Sequence, residues 1–223
     1  MHKAMNKSAL FKSAGLFLFA YLLLVGLSLP FGHHYVEALL PLYHWEIGLL
    51  SPDYSINSLA LTDNHGEAVV SLNLKLIRYT VVGMHVMTPG FDVSSSTLAG
   101  HALQHIILML SLLIAWPAKN IYHRFGLLVL SVPMLLFVEL IDVPLVLLGS
   151  IDDLILANVA PNTTSPLVLW TGFMNGGGRL AFSLTAAVMC PSLLGWITKY
   201  TFKQSSLESA TVLTHSVKLG KRA

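Results

Sequence analysis

Four apolar runs, each close to the length of a bilayer crossing, constrain this chain more than any other feature. They cover 14–30, about Leu98 to Trp116, about Phe125 to Leu148 and about Leu180 to Ile197. Roughly 20 apolar residues in a helix cross the hydrocarbon layer, where an isolated segment has only helical geometry to satisfy its backbone. Composition agrees: the 223 residues are 54% hydrophobic and 11% charged, against about 25% charged in a soluble domain. The predicted fold class is therefore membrane all-α, four transmembrane helices with a small β-rich extracytoplasmic insertion between helices 1 and 2. A single cysteine, Cys190, excludes a disulfide framework or a zinc ribbon. No phosphate loop, dinucleotide fingerprint or nucleic-acid motif is present, so the expected partner is the lipid bilayer and no nucleic acid.

Sidedness follows from the basic residues. Lys3, Lys7, Lys12, Lys119, Arg124, Lys199, Lys203, Lys218, Lys221 and Arg222 fall on one side, and only Lys75 and Arg78 on the other. The positive-inside rule makes the first side cytoplasmic and places both termini there. The resulting organisation is a basic N-terminus (1–13), a signal anchor (14–30) and an extracytoplasmic part (31–96). A three-helix membrane region (97–198) and a basic tail (199–223) complete it; the tail reads as solvated and disordered, with association to anionic lipid as the alternative. The stretch Val25 to Gly32 is a poor cleavage context, which favours a retained anchor over a cleaved signal.

Within 31–96, Val36 to Leu50 reads as an aromatic-rich amphipathic helix at the membrane interface. A turn at Asp63-Asn-His-Gly66 separates two extended segments. In the second, Val70, Leu72, Leu74 and Leu76 alternate with polar residues, the signature of a half-buried strand. That pattern breaks at Ile77 and Arg78, where a bend or bulge is expected, and Val81 to Met87 offers a third strand. His33, His34, His44, His65 and His85 match no metal-ligand spacing and read as solvated. Ser94, Ser95 and Ser96 read as turn and N-cap residues of the second span.

Candidate function lies in ionisable residues inside the apolar runs. His101 and His105 share one face of the second span, and Glu139 and Asp142 one face of the third. Counted from the outer ends of the helices, His101 and Asp142 lie roughly 5–9 Å deep and His105 and Glu139 roughly 10–14 Å. The expected pairs are thus His101 with Asp142 and His105 with Glu139. Residues 153–178 hold a candidate re-entrant segment, Pro166 to Gly178. Its Asn175-Gly-Gly-Gly178 would deliver Asn175 and Arg179 to the same layer, with Arg179 neutralising a carboxylate. Three readings stay open for this layer. It is a hydrogen-bonded packing cluster, a docking site, or a divalent-metal or catalytic site in which His101, His105, Glu139 and Asp142 would be the ligands. No catalytic residue is assigned and no cofactor is required by the first two readings.

The layout also resembles a known family. The helix-then-strand order of Val36 to Leu76, the run Ser96-Thr-Leu-Ala-Gly-His-Ala-Leu-Gln-His105 before Trp116-Pro117, and Val132-Pro-Met-Leu-Leu-Phe-Val-Glu139 are similar to the exosortase H-associated small integral membrane proteins. The similarity covers roughly residues 15–150, and Asn175 to Arg179 has no counterpart in it. It implies a bacterial inner-membrane, multi-pass accessory protein of envelope protein sorting or surface-polymer export, with an exosortase or another envelope membrane protein as partner. Exosortases carry Cys, Arg and His in that order. This chain has Arg179, Cys190 and His215, so the resemblance implies an accessory protein and not the transpeptidase. The competing expectation is an intramembrane metal-dependent enzyme or a proton-coupled transporter using the polar layer.

Overall fold

The computed structural model describes residues 7–83, 85–118 and 120–220, with side chains described within 10–199. Lys3, Lys119, Lys221 and Arg222, and the side chains of Lys7, Lys203, His215 and Lys218, lie outside the described set.

The first helix, α1 (Lys7–Leu50), is one element of 44 residues that passes through Pro30 and Pro41. At about 1.5 Å per residue it is roughly 66 Å long, about twice the depth of a bilayer's hydrocarbon core. An anchor and a separate interfacial helix were expected over this stretch. The amphipathic stripe of 36–50 is real, but its apolar side meets protein. Val36, Leu39, Tyr43 and Ile47, spaced by three and four residues, are buried in a core shared with the sheet and a later helix. That packing holds the helix straight on beyond the apolar run.

After Leu50 the chain forms β1 (Tyr54–Asn64) and β2 (Glu67–Leu76), an antiparallel hairpin. Its two central turn residues, His65 (φ 56°) and Gly66 (φ 86°), both have positive φ, as a two-residue turn matched to strand twist requires. The Gly66 amide donates to Asp63 Oδ1 at 2.9 Å. The alternation in β2 holds, with Val70, Leu72, Leu74 and Leu76 fully buried. β2 ends at Leu76 and the chain bends at Arg78, as the broken pattern indicated, while the register shift within the hairpin lies in β1, between Ile56 and Ser58.

The third strand is also elsewhere. Thr80–Val82 (β3) and His85–Met87 (β4) pair only with each other, and the sheet is completed by β5 (Asp92–Leu98), in the order β1-β2-β5. The Ser94–Ser96 run is therefore strand. Ser94 and Ser96 face outward, while Ser95 donates to the Leu147 carbonyl at 3.0 Å. The helix that follows, α2 (Ala99–Ala115), is preceded by Leu98, which makes no side-chain cap. Hydrophobic alternation did not flag β5 because only Val93 and Thr97 in it are buried.

Two further helical stretches complete the fold. α3 (Ile121–Val159) runs through Pro133 and Pro144, so 153–159 belong to it. After a turn, α4 (Pro166–Phe173) leads through a wide π-turn at Met174–Gly178 into α5 (Arg179–Gly220). The 166–178 stretch is thus a short helix that meets the last helix across a kink, where Gly177 (φ 118°) leaves helical geometry. The tail to Gly220 prolongs α5, since extending a formed helix needs no new nucleus. Among the described residues, three stretches are long and apolar enough to cross a membrane: Leu10–Leu50, Ile121–Val159 and Pro166–Lys199. α2 is apolar but shorter.

Two cores result. One joins the 36–47 stripe of α1, the sheet and the Val143–Ile155 part of α3. The other joins Met109 and Leu113 of α2, Leu127 and Val138 of α3, and Ala186, Ala187 and Cys190 of α5. Gly149 lets α4 lie directly on α3, because a Cβ there would overlap the Thr171 side chain and the Leu167 backbone.

Candidate functional site: a buried polar layer between two cores

The level between the two cores is polar. His105, Glu139 and Asp142 are fully buried there, with Arg179 5% and Ser183 1% exposed. Each helix delivers its share by period. Tyr35 and Tyr43 lie two turns apart on α1, Glu139 and Asp142 three residues apart on α3, and Arg179 and Ser183 four apart on α5.

Asp142 is the hub. His105 Nε2 lies 2.8 Å from its Oδ2, and Arg179 Nε donates to Oδ1 at 3.0 Å and Oδ2 at 2.8 Å. Arg179 Nη1 donates to Asn175 Oδ1 at 2.7 Å, and Asn175 itself is exposed at the π-turn. On the far side of the imidazole, Nδ1 lies 2.7 Å from Ser183 Oγ, which donates to the Arg179 carbonyl at 2.8 Å. With that hydroxyl proton committed, both ring nitrogens act as donors when His105 carries two protons.

Glu139 faces the other way, toward α1. Tyr35 donates to Oε1 at 2.9 Å and Tyr43 to Oε2 at 2.7 Å. The expected pairs are therefore displaced by one turn: His105 meets Asp142, and Glu139 meets two phenols. His101 stays outside the network, half-buried, with Nδ1 3.2 Å from Thr97 Oγ1. The depth count that paired it with Asp142 took α3 to end near Leu148, whereas α3 continues to Val159.

Of the six candidate residues, the fold brings together His105, Asp142, Asn175 and Arg179, sets Glu139 beside them, and leaves His101 apart. Three contributors were missed. Ser183 sits on the Arg179 face of α5, and Tyr43 is a phenol inside an otherwise apolar stripe. A buried phenol needs a hydrogen-bond partner, and that was the available signal for Tyr43 and for Tyr35 two turns earlier.

Ser183, His105 and Asp142 form a hydroxyl–imidazole–carboxylate chain, the order of a nucleophilic triad. Here the hydroxyl proton goes to a helix carbonyl, and Ser183 is 1% exposed, so a substrate has no line of approach to the oxygen. Among the described residues no group of three or more His, Cys, Asp or Glu side chains is placed to hold a metal ion. A metal on His105 would have to displace Asp142 or Ser183. Cys190 is buried in the second core, three turns along α5 from Arg179. The histidines of the extracytoplasmic stretch, His33, His34, His44, His65 and His85, are all exposed. One donor, Arg179 Nη2, is buried without a partner among the described residues. Searches of protein-family models, of curated proteins and of solved structures found no match to this chain.

Proposed function

We propose that this chain is a four-span, non-enzymatic membrane accessory protein whose polar layer clasps the helices at the outer edge of the bilayer and presents the sheet beyond it. The carrying observation is that both carboxylates of the layer are engaged. Every carboxylate oxygen of Glu139 and Asp142 is met by a donor from a different helix, which leaves none for a substrate.

Depth supports the placement. From Lys199 to Arg179, from Arg124 to Asp142 and from Lys12 to Tyr35, the rise per residue gives roughly 27–34 Å, about the thickness of a hydrocarbon core. Trp170, whose Nε1 donates to the Ile141 carbonyl at 2.8 Å, stacks with Phe173 and Phe182 at this level. Aromatic belts mark such boundaries. The basic ends then lie inside, and the three-stranded sheet lies outside. The resemblance to exosortase-associated proteins supplies the setting, in which the outer module contacts an envelope sorting or export partner at a bacterial inner membrane.

A second reading has one observation in its favour. A titratable imidazole held between a hydroxyl and a carboxylate is a fragment of a proton path. Proton uptake by proteoliposomes, present in the wild type and lost in His105→Ala, would favour that path; a second test sets the accessory reading against metal chemistry. His105→Ala, Glu139→Ala and the double variant are assayed for bound metal in the purified protein and for complementation of an envelope-sorting defect in a strain lacking the gene. Complementation by every variant that reaches the membrane supports the accessory reading. Near-stoichiometric metal in the wild type, lost in both single variants along with complementation, overturns it.

A further inference from the structure

We propose that the cleft between β4 and the far end of α3 receives an extended, uncharged, apolar segment of another polypeptide, added as a strand to the free edge of β4. This rests on the membrane placement argued above.

The hairpin β3–β4 carries an unusual amount of exposed apolar surface. Tyr79 is 72%, Val81 69% and Val86 62% exposed, while the opposite side, with Val82 and Met87, packs on the sheet core. Between the hairpin and α3 lies a cleft of about 580 Å³, walled by Val86, Met87, Phe91 and Leu154, with Thr88 and Asn158 as its polar groups and no charged side chain. Apolar surface of this kind on a membrane protein is ordinarily covered by lipid, but here the distance is too great. Gly83 of the hairpin sits against Ala160, just past the end of α3. That end is 18 residues beyond Asp142, or about 27 Å. Headgroups extend only about 5–8 Å past the hydrocarbon core, so the cleft stands in water unless protein covers it.

The geometry also favours a strand as the occupant. A two-stranded ribbon is marginal alone and leaves one edge of each strand unpaired. Among the described residues, β4 makes no backbone bond outside its pairing with β3. The walls of the cleft are the apolar side chains of β4 and α3. An added strand would find main-chain partners on β4 and insert alternate side chains between Val86 and Leu154, the mode by which sheet edges capture peptides. Thr88 and Asn158 offer a hydroxyl and an amide to its backbone, and the absence of charge in the walls selects against a charged segment.

The probe is a fluorescein-labelled heptapeptide of alternating threonine and valine, with a centrally proline-substituted version as control. Both are titrated by anisotropy against the full chain in lipid nanodiscs and against empty discs. In parallel, Val81→Cys carries an environment-sensitive dye and is exposed to spin-labelled lipid. Cys190 is buried, so the dye goes to the new thiol. The expected result is saturable peptide binding, at least tenfold weaker for the proline peptide and for Val86→Asp or Leu154→Asp, with no quenching of the dye. Quenching by lipid overturns the membrane placement. No quenching together with peptide binding unaffected by the substitutions, or equal on empty discs, overturns the docking site alone. A concentration-dependent dimer abolished by Val86→Asp, without peptide binding, assigns the edge to a second copy and also overturns it.

Discussion

Removing the charge of Asp142 exposes how the layer is held. Asp142→Asn keeps the shape of the side chain but strands two potential cations, Arg179 and His105, in a site where Asp142 is fully buried and Arg179 is 5% exposed. Three donor–acceptor contacts converge on Asp142. Within membranes such contacts are worth about 0.6–1.7 kcal/mol each, which gives about 2–5 kcal/mol for the set. The cost of leaving one member of a buried ion pair unpartnered is about 3–5 kcal/mol, so the two scales agree on a loss of roughly 3–5 kcal/mol. Arg179→Met should lose a similar amount, because Asp142 then keeps only His105. The double variant should lose at least about 1 kcal/mol less than the two singles together, since neither charge of the pair is then stranded. The sole cysteine provides the assay. Cys190 is fully buried in the core formed by α2, α3 and α5, so its labelling by a thiol-reactive dye during an SDS titration in mixed micelles reports opening of the bundle. Additivity of the two substitutions within about 0.5 kcal/mol, or a loss below about 1 kcal/mol for Asp142→Asn, refutes the ion-pair reasoning.

Three other outcomes are expected. Tyr43→Phe and Tyr35→Phe each take one donor from Glu139 and should destabilise by about 1–3 kcal/mol in the same titration, with fully buried Tyr43 the more costly; equal and negligible losses would detach Glu139 from α1. Gly149→Val should push α4 off α3 and cost at least about 1–3 kcal/mol, seen as earlier Cys190 labelling. Tyr54 lies outside the spans, and burial, then Asp152 and Asp53, raise its phenol above the ordinary value of 10.0. The folded state therefore holds that proton more tightly than the unfolded chain. Its contribution to stability is full below pH 10 and is lost as the pH rises through the folded value. Absorbance at the phenolate band should show a Tyr54 titration above the ordinary range, absent in Tyr54→Phe.

The helices were legible because their apolar runs are long, and the β1–β2 hairpin because Asp63 to Gly66 and the alternation in 70–76 each carry a direct physical signal. The polar layer was legible as a level in the chain, from ionisable residues where hydrocarbon disfavours them. Its pairing was not. Which carboxylate meets which histidine depends on how far α2 and α3 slide past one another, and that offset is set by α3 continuing into the core under the sheet. The serine-rich β5 was hidden for a related reason. A strand whose outer face is all small polar residues shows no hydrophobic period until its partner, β2, is known. The continuity of α1 through Pro30 and Pro41 likewise comes from tertiary burial of its second half, which overrides local propensity.

The clasp on Glu139 also dictates an order of assembly. Tyr35 and Tyr43 reach the bilayer about a hundred residues before their acceptor has been synthesised, and Asp142 emerges before Arg179 and Ser183. The phenols of α1 and the imidazole of α2 thus meet their acceptors as soon as α3 is made, and Arg179 is a later addition. A chain truncated before Arg179 would leave Asp142 with His105 as its one partner in the layer.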